Sequence, residues 1–323
     1  MTVEASAASL AAHAGKWVLG IDGGGTRTRA WVSRVGQDGQ LHCEGRAESG
    51  SSNMRAVGPE RAFDSISKAT ESATGACEGF AGGRIAAAVI AAAGAGSPDV
   101  VQQILDWNTQ TGMAETCRVA HDGEAVLAAA FGRSAGTSLI VGTGSVAMTR
   151  TPGGKTAVVG GWGYWFGDEG SGYAIGRDAL NAVSRAADGR GSPTALLADA
   201  LKHFGVEHAR EIPTTLGKTS DARAMIAAFS PIVSAAAEAG DASAKAIIEN
   251  AAVNLAELCT TSWSDAGADR PVEIAIAGGV GCGSRPLREA LARRLAPTEL
   301  QSVEHPVEGC VRLAAELLLE TGG

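Results

Sequence analysis

Three aspartates stand where a carboxylate gains nothing from packing. Asp22 and Asp122 close the short apolar runs Lys16–Asp22 and Cys117–Asp122, and Asp168 lies in a glycine-rich loop. Three glycine-rich turns also follow apolar runs: Asp22-Gly23-Gly24-Gly25-Thr26, Gly142-Thr143-Gly144-Ser145 and Gly278-Gly279-Val280-Gly281. Successive backbone N–H groups in such turns, free of Cβ crowding, can point at one anion, and neighbouring hydroxyls donate further bonds. Carboxylates beside anion-holding turns suit phosphoryl transfer to a hydroxyl. That chemistry needs loops and Mg2+ to hold charge, and one carboxylate to orient the hydroxyl and accept its proton. Asp122 fits the base, because its strand would end at the reacting groups and Gly123 leaves space beside it; capping the helix expected over 123–131 is a second role open to it. Asp22, beside the first turn, suits a Mg2+-bound water network, since Mg2+ keeps most of its waters and takes few carboxylates. His121 and Glu124 are rival acid–base groups, with side chains expected to point away from the strand-end direction of Asp122.

The acceptor end of such a reaction is suggested by Gly160–Gly172. Six of its thirteen residues are glycine, and they surround Trp162, Tyr164, Trp165, Phe166, Asp168 and Glu169. Glycines let backbone approach a ligand, aromatic rings form flat walls and carboxylates accept hydroxyl hydrogen bonds, so the stretch reads as a pocket for a small polar molecule. Aromatic residues make up only 4% of the chain, which makes four within 162–166 a real concentration.

Several other chemistries are excluded. Gly217-Lys-Thr219 and Gly154-Lys-Thr156 resemble the end of a Walker A loop, but Ile212 and Thr149 occupy the places of the required first glycine. Gly142-Thr-Gly-Ser-Val-Ala147 fits a dinucleotide-binding fingerprint, yet it runs into Pro152-Gly-Gly154 with no room for the helix that fold demands. A formal net charge of −8 opposes binding to nucleic acid or acidic membrane, so any phosphate must be held by local geometry. The six cysteines are scattered without a C-x-x-C pair, as expected for reduced thiols of a cytoplasmic protein. No apolar run reaches 18 residues, and residues 1–15 lack a basic region and are expected to form a disordered tail.

At 323 residues, about two domains with a cleft between them are expected. Strands over 16–22, 29–35 and 41–46 form a meander, with Asp38-Gly39 as its hairpin turn. A helix over 60–79, a buried strand over 84–93, a Gly94–Pro98 turn, a helix from Pro98, a strand to Asp122 and a helix over 123–131 complete an α/β domain. A second meander then begins about 120 residues after the first, over 137–141, 146–150 and 155–160, which points to an internal duplication. Residues 174–265 read as mainly helical, with one helix over 241–258. A strand over 272–277, a helix capped by Ser284 and a helix over 306–320 close the chain.

These residues resemble the sugar kinase, heat-shock protein 70 and actin ATPase superfamily. Within it they are most similar to the N-acetylglucosamine and glucosamine kinases grouped with the BadF/BadG/BcrA/BcrD ATPases. Gly20–Thr28 resembles the first phosphate motif, Val141–Ser145 the second, Ala277–Val280 the adenosine motif and Gly160–Gly172 the amino-sugar pocket. The resemblance implies an α/β fold of two ribonuclease-H-like lobes, 16–135 and 136–305, with an interlobe cleft and the 306–320 helix returning to the first lobe. It implies ATP and Mg2+ as cofactors and phosphorylation of the 6-hydroxyl of an amino sugar, N-acetylglucosamine foremost. Glucosamine or N-acetylmuramic acid are alternatives, and a reductase-activating ATPase is a further one. Asp122 would be the base; Asn53, Gly161, Trp162, Gly163, Asp168 and Gly172 would surround the sugar; Thr26 and Thr143 would touch phosphates; and Gly278 and Gly279 would meet the adenosine. A homodimer is one assembly open to it. His121 departs from the Thr or Asn more usual before the base, and Tyr164-Trp165-Phe166 is bulkier than in many relatives.

Overall fold

The computed structural model describes residues 7–92, 97–268 and 273–321, and the chain divides into two compact units. The expected Gly94–Pro98 turn lies largely outside the described residues, as do Ala93 and Val272 of two expected strands. The first unit comprises residues up to Arg133 together with His305 onward, and the second is Ser134–Glu304.

In the first unit β1 (Trp17–Gly23), β2 (Thr28–Val35), β3 (Leu41–Ser49), β4 (Ile85–Ala92) and β5 (Ala114–His121) form one sheet in the order β3-β2-β1-β4-β5. The meander strands pair antiparallel, while β4 joins β1 and β5 in parallel. All of β4 is buried, as its unbroken Ile-Ala-Ala-Ala-Val-Ile-Ala-Ala run requires of a central parallel strand covered on both faces. One face packs on the Pro59–Gly75 helix through Ala62, Ile66, Ala69 and Ala73. The other takes the Val307–Thr321 helix, whose Val307, Val311, Ala314 and Leu318 join Val18, Trp31 and Val89. Glycines permit its close approach. A Cβ on Gly20 of β1 would lie 2.6 Å from the backbone nitrogen of Val311, and one on Gly309 would collide with the carbonyl oxygen of Ala125. Arg312 also donates to the carbonyls of Ala128 and Ala129, near the end of the Asp122–Phe131 helix, at 3.1 and 3.0 Å.

In the second unit β6 (Gly136–Val141), β7 (Ser145–Arg150), β8 (Thr156–Gly160), β9 (Ile274–Ala277) and β10 (Leu300–Val303) repeat the same plan, in the order β8-β7-β6-β9-β10. Again the meander is antiparallel and the two later strands are parallel, so the duplication read from the glycine turns is present in the topology. The two units thus have the repeated, mixed-sheet α/β plan expected of two ribonuclease-H-like lobes.

Three elements differ from expectation. Residues 7–11, expected to fray, form a short helix that buries Leu10, and Gly15 donates to Val35; residues 1–6 lie outside the described residues. The helix expected over 241–258 runs through Ala242–Ala266 and ends at left-handed Gly267. Its polar last turns are buried because Ser262 and Trp263 complete a satisfied network with Thr137 and Thr149, at 2.7–2.8 Å per bond. Strand β10 was not expected, since Gln301 and Ser302 are exposed at the sheet edge and break the apolar pattern.

Gly309→Ala is expected to destabilise the protein by about 1–3 kcal/mol in denaturant unfolding, because a methyl group has no room against the Ala125 carbonyl. Unchanged stability would show that the terminal helix does not approach this closely.

Candidate functional site

The carboxyl ends of β1 and β5 place the first group of residues. Asp22 pairs with Arg29 across β2, whose guanidinium lies 4.0 Å from Asp22 and also donates to Glu48 at 2.7 Å. The next residue, Gly23, is a close crossing. A Cβ there would sit 2.5 Å from Ser52 Oγ, so only glycine lets the loop before Asn53 lie over the first turn. Ser51 Oγ donates to the Gly24 carbonyl at 3.2 Å and accepts from the Asn53 N–H at 3.2 Å, which brings Asn53 beside Gly23–Thr26. The turn is closed by Gly24 N–H to the Arg27 carbonyl, leaving Gly25 and Thr26 exposed. Ser52 Oγ is buried without a hydrogen-bond partner; no periodicity or motif distinguished it in the sequence.

Burial pushes the Asp22 carboxyl up to about 6; Arg29 opposes the shift, the nearby negative charge of Asp122 adds to it, and Arg27 opposes it. Among the described residues no cluster of three or more His, Cys, Asp or Glu exists, so an ion held beside Asp22 would keep most of its own waters.

Asp122 opens the helix that follows β5. Its Oδ1 accepts from the Gly123 N–H at 2.9 Å and lies 2.8 Å from His121 Nδ1. The expectation that His121 points away from Asp122 is therefore corrected. The strand ends at His121, which occupies the N-cap position with φ −68° and ψ 142°, so its ring folds back over the helix start. Glu124, the other rival, is engaged by Arg118 at 2.8 Å.

In the second unit the glycine turn and the aromatic stretch are one construction. Gly142 N–H closes the turn on the Gly144 carbonyl, and Gly172 N–H and Tyr173 N–H donate back to the carbonyls of Gly142 and Thr143 at 2.8 and 3.3 Å. Gly161 N–H donates to the Ser145 carbonyl at 3.0 Å, and Ser145 Oγ donates to the Glu169 carbonyl at 2.7 Å. Asp168 sits at the junction, buried, with φ 59°, the one positive φ of a non-glycine residue among the described residues. Its Oδ1 accepts from the Ser145 N–H at 3.2 Å and its Oδ2 from Arg223 at 3.2 Å. Burial raises its pKa, against the Ser145 bond and the Arg223 charge.

Arg223, 55 residues further along, could not be connected to this site from sequence. Its guanidinium also lies 5.3 Å from the Tyr164 ring centroid, and Tyr164 stacks on Trp165 at 4.9 Å and meets Tyr173 edge-on at 5.3 Å. Trp162, Trp165 and Phe166, expected as pocket walls, are 73–80% exposed. Gly163 has φ 87°, a backbone conformation that keeps this segment available only to glycine. Gly278 closes the group: with φ 90° it ends β9 against Val141 and Gly142, and Gly279 beside it opens onto free space. In the second unit Gly142 and Gly279 each lack any atom within 4 Å of the Cβ position, so the backbone there is open.

The profile of the BadF/BadG/BcrA/BcrD ATPase family matches residues 19–311. The N-acetylmuramic acid/N-acetylglucosamine kinase of Clostridium acetobutylicum is 30% identical over 244 residues, covering 74% of this chain and 77% of its own. The glucosamine kinase of Vibrio cholerae is 30% identical over 265 residues, covering 79% and 82%. Among solved structures, a candidate N-acetylglucosamine kinase from Chromobacterium violaceum superposes with a TM-score of 0.71 at 25% identity, covering 94% of this chain and 99% of that one.

The raised pKa of Asp22 makes a stability prediction. Between the ordinary carboxyl value of 3.8 and about 6 the folded state holds a proton that the unfolded state releases, so stability is greatest below that window and is lost as pH rises through about 6. A shift of this size corresponds to about 3 kcal/mol. Asp22→Asn is expected to remove the pH dependence across that window and to raise the melting temperature of the ligand-free protein at neutral pH. An unchanged pH profile of unfolding would contradict the assignment.

Proposed function

The chain belongs to the BadF/BadG/BcrA/BcrD ATPase family, and we propose that it phosphorylates the 6-hydroxyl of an amino sugar at the expense of ATP. N-acetyl-D-glucosamine is the foremost acceptor, with glucosamine and N-acetylmuramic acid the close alternatives, in keeping with the activities named for the two 30% identical relatives. The observation that carries this reading is the fusion of an aromatic, glycine-rich acceptor stretch to a phosphate-type turn by direct hydrogen bonds, from Gly172 to Gly142 and from Gly161 to Ser145.

In this reading Asp122 accepts the hydroxyl proton. The remaining backbone N–H groups of Gly23–Thr26 and Gly142–Ser145, with the Thr26 and Thr143 hydroxyls, would hold phosphate oxygens, and Gly278 and Gly279 would meet the adenosine. Asp22 would hold Mg2+ through water, and the ion would supply charge neutralisation at the phosphates. Trp162, Gly161, Gly163, Gly172 and Asn53 bind the sugar. Asp168 ties this acceptor stretch to the phosphate turn, and a sugar hydroxyl would compete with Arg223 for its Oδ2. The reading includes a cytoplasmic location, a free small-molecule substrate and a homodimer. Among the described residues no helix is long and apolar enough to cross a membrane.

An ADP-release assay over N-acetylglucosamine, glucosamine, N-acetylmuramic acid and glucose with Mg2+-ATP tests this, with kcat/KM expected to be highest for an amino sugar. Asp122→Asn should lower kcat by about 10^2–10^4-fold with sugar affinity kept, the loss typical of a missing general base. Trp162→Ala should mainly raise the sugar KM. Near-normal turnover in the Asp122 variant, or a Trp162 variant that changes the ATP KM alone, would overturn these roles.

A further inference from the structure

His121 Nδ1 lies within hydrogen-bonding distance of two partners with opposite demands. Asp122 Oδ1, at 2.8 Å, can only accept from it, while the Gly123 N–H, at 3.0 Å, can only donate to it. An unprotonated Nδ1 would face a carboxylate oxygen lone pair to lone pair at 2.8 Å, which is repulsive. A protonated Nδ1 makes a short charge-assisted bond there. The Gly123 N–H has its own bond to Oδ1, at 2.9 Å, so nothing is lost when the ring does not accept from it. Oδ1 then receives two donors, and among the described residues no donor reaches Oδ2.

We propose that His121 is the positioning residue of the base: its Nδ1–H holds Asp122 Oδ1, so that Oδ2 is the oxygen that takes the proton of the acceptor hydroxyl. The proposal rests on the assignment of Asp122 as base. In the reaction the sugar O–H bond breaks and its proton passes to Oδ2. The oxygen–phosphorus bond to the sugar forms, and the bond from the γ-phosphorus to the departing ADP oxygen breaks. His121 gives up no proton in this step. Its ring instead sets which lone pair of Asp122 is presented.

The charges around the ring support a proton there. Burial disfavours the charged ring, but the bond to Asp122 and the charges of Asp122 and Glu124 outweigh it, so His121 titrates above the ordinary histidine range. Glu124 is paired with Arg118. Strand β4, which pairs Ala92 with His121, carries no ionisable side chain. From the Val307–Thr321 helix, Arg312 is committed to the carbonyls of Ala128 and Ala129, and Cys310 is a buried thiol pushed well above its usual range. Asp22 acts on the same carboxylate from β1.

Nitrogen-detected NMR of the wild-type chain, with the His121 ring assigned through the backbone, reads the proton directly and without turnover. A protonated Nδ1 is expected; a neutral ring protonated at Nε2 alone overturns the proposal. In kinetics, His121→Asn keeps a side-chain N–H at the Nδ1 position and should stay within about threefold of wild type, whereas His121→Ala should lose about 10–100-fold in kcat with the sugar KM unchanged, the scale of a misplaced catalytic group. An Ala variant as fast as wild type overturns the proposal. Normal turnover of Asp122→Asn would instead remove the base itself, and the Nδ1 resonance would still report the bond.

Discussion

The spacing of the two carboxylates in the first unit is set by a helix from the far end of the chain. The Val307–Thr321 helix rests on β1 where Gly20 has no side chain and on the Asp122–Phe131 helix where Gly309 has none. One contact lies two residues before Asp22 and the other three residues after Asp122. Backbone packed against backbone leaves little freedom, because close-packed interiors yield little to small displacements. Two acidic groups that repel one another are thereby held near each other by glycine contacts, without any bond between them. The proton affinity of Asp22 is raised first by its burial, and the charge of Asp122 adds to it against the opposing charge of Arg29.

The second unit solves a different problem, that of joining the aromatic, glycine-rich stretch to the Gly142–Ser145 turn. Asp168 does so with a left-handed backbone, a conformation that costs about 1 kcal/mol in an L-residue and that aspartate tolerates better than most. The strain persists because both carboxylate oxygens are engaged, one by the Ser145 N–H and one by Arg223. Arg223 also lies over Tyr164, so the bulky Tyr164-Trp165-Phe166 segment is divided in function. Tyr164 is part of the clamp on Asp168, while Trp165 and Phe166 face solvent.

Much of the fold is legible in the sequence because its signals are local. Asp38-Gly39 marks the hairpin between β2 and β3, with Gly39 at φ 73° and Gln40 N–H on the Asp38 carboxylate. The unbroken apolar run of β4 and the recurrence of a glycine turn after each first strand mark the repeat. The missing parts depend on partners distant in sequence. Gln301 and Ser302 of β10 adopt strand geometry only because β9 offers an unpaired edge, and the last turns of the Ala242–Ala266 helix are buried through hydroxyls on β6 and β7. At the site, the turns and their aspartates announce themselves by type and spacing. The link from Arg223 to Asp168 does not, because nothing near Arg223 distinguishes it from any helical arginine. His121 was misread for a simpler reason: strand alternation was extended to the residue where the strand stops.

The discontinuity of the first unit has a consequence for how the protein is made. Residues 134–304 form a continuous unit, whereas the first unit needs the segment from His305 onward. As the chain leaves the ribosome, the meander and the strand leading to Asp122 emerge first, with one face of their sheet still uncovered. That face, including Val18, Trp31 and Val89, waits for Val307, Val311, Ala314 and Leu318 while the whole second unit is synthesised and can complete its own core. The surroundings of Asp22 and Asp122 are therefore completed only after residues 134–304 have been made, and a chain stopped before the Val307–Thr321 helix would carry every proposed catalytic residue without the scaffold that arranges them.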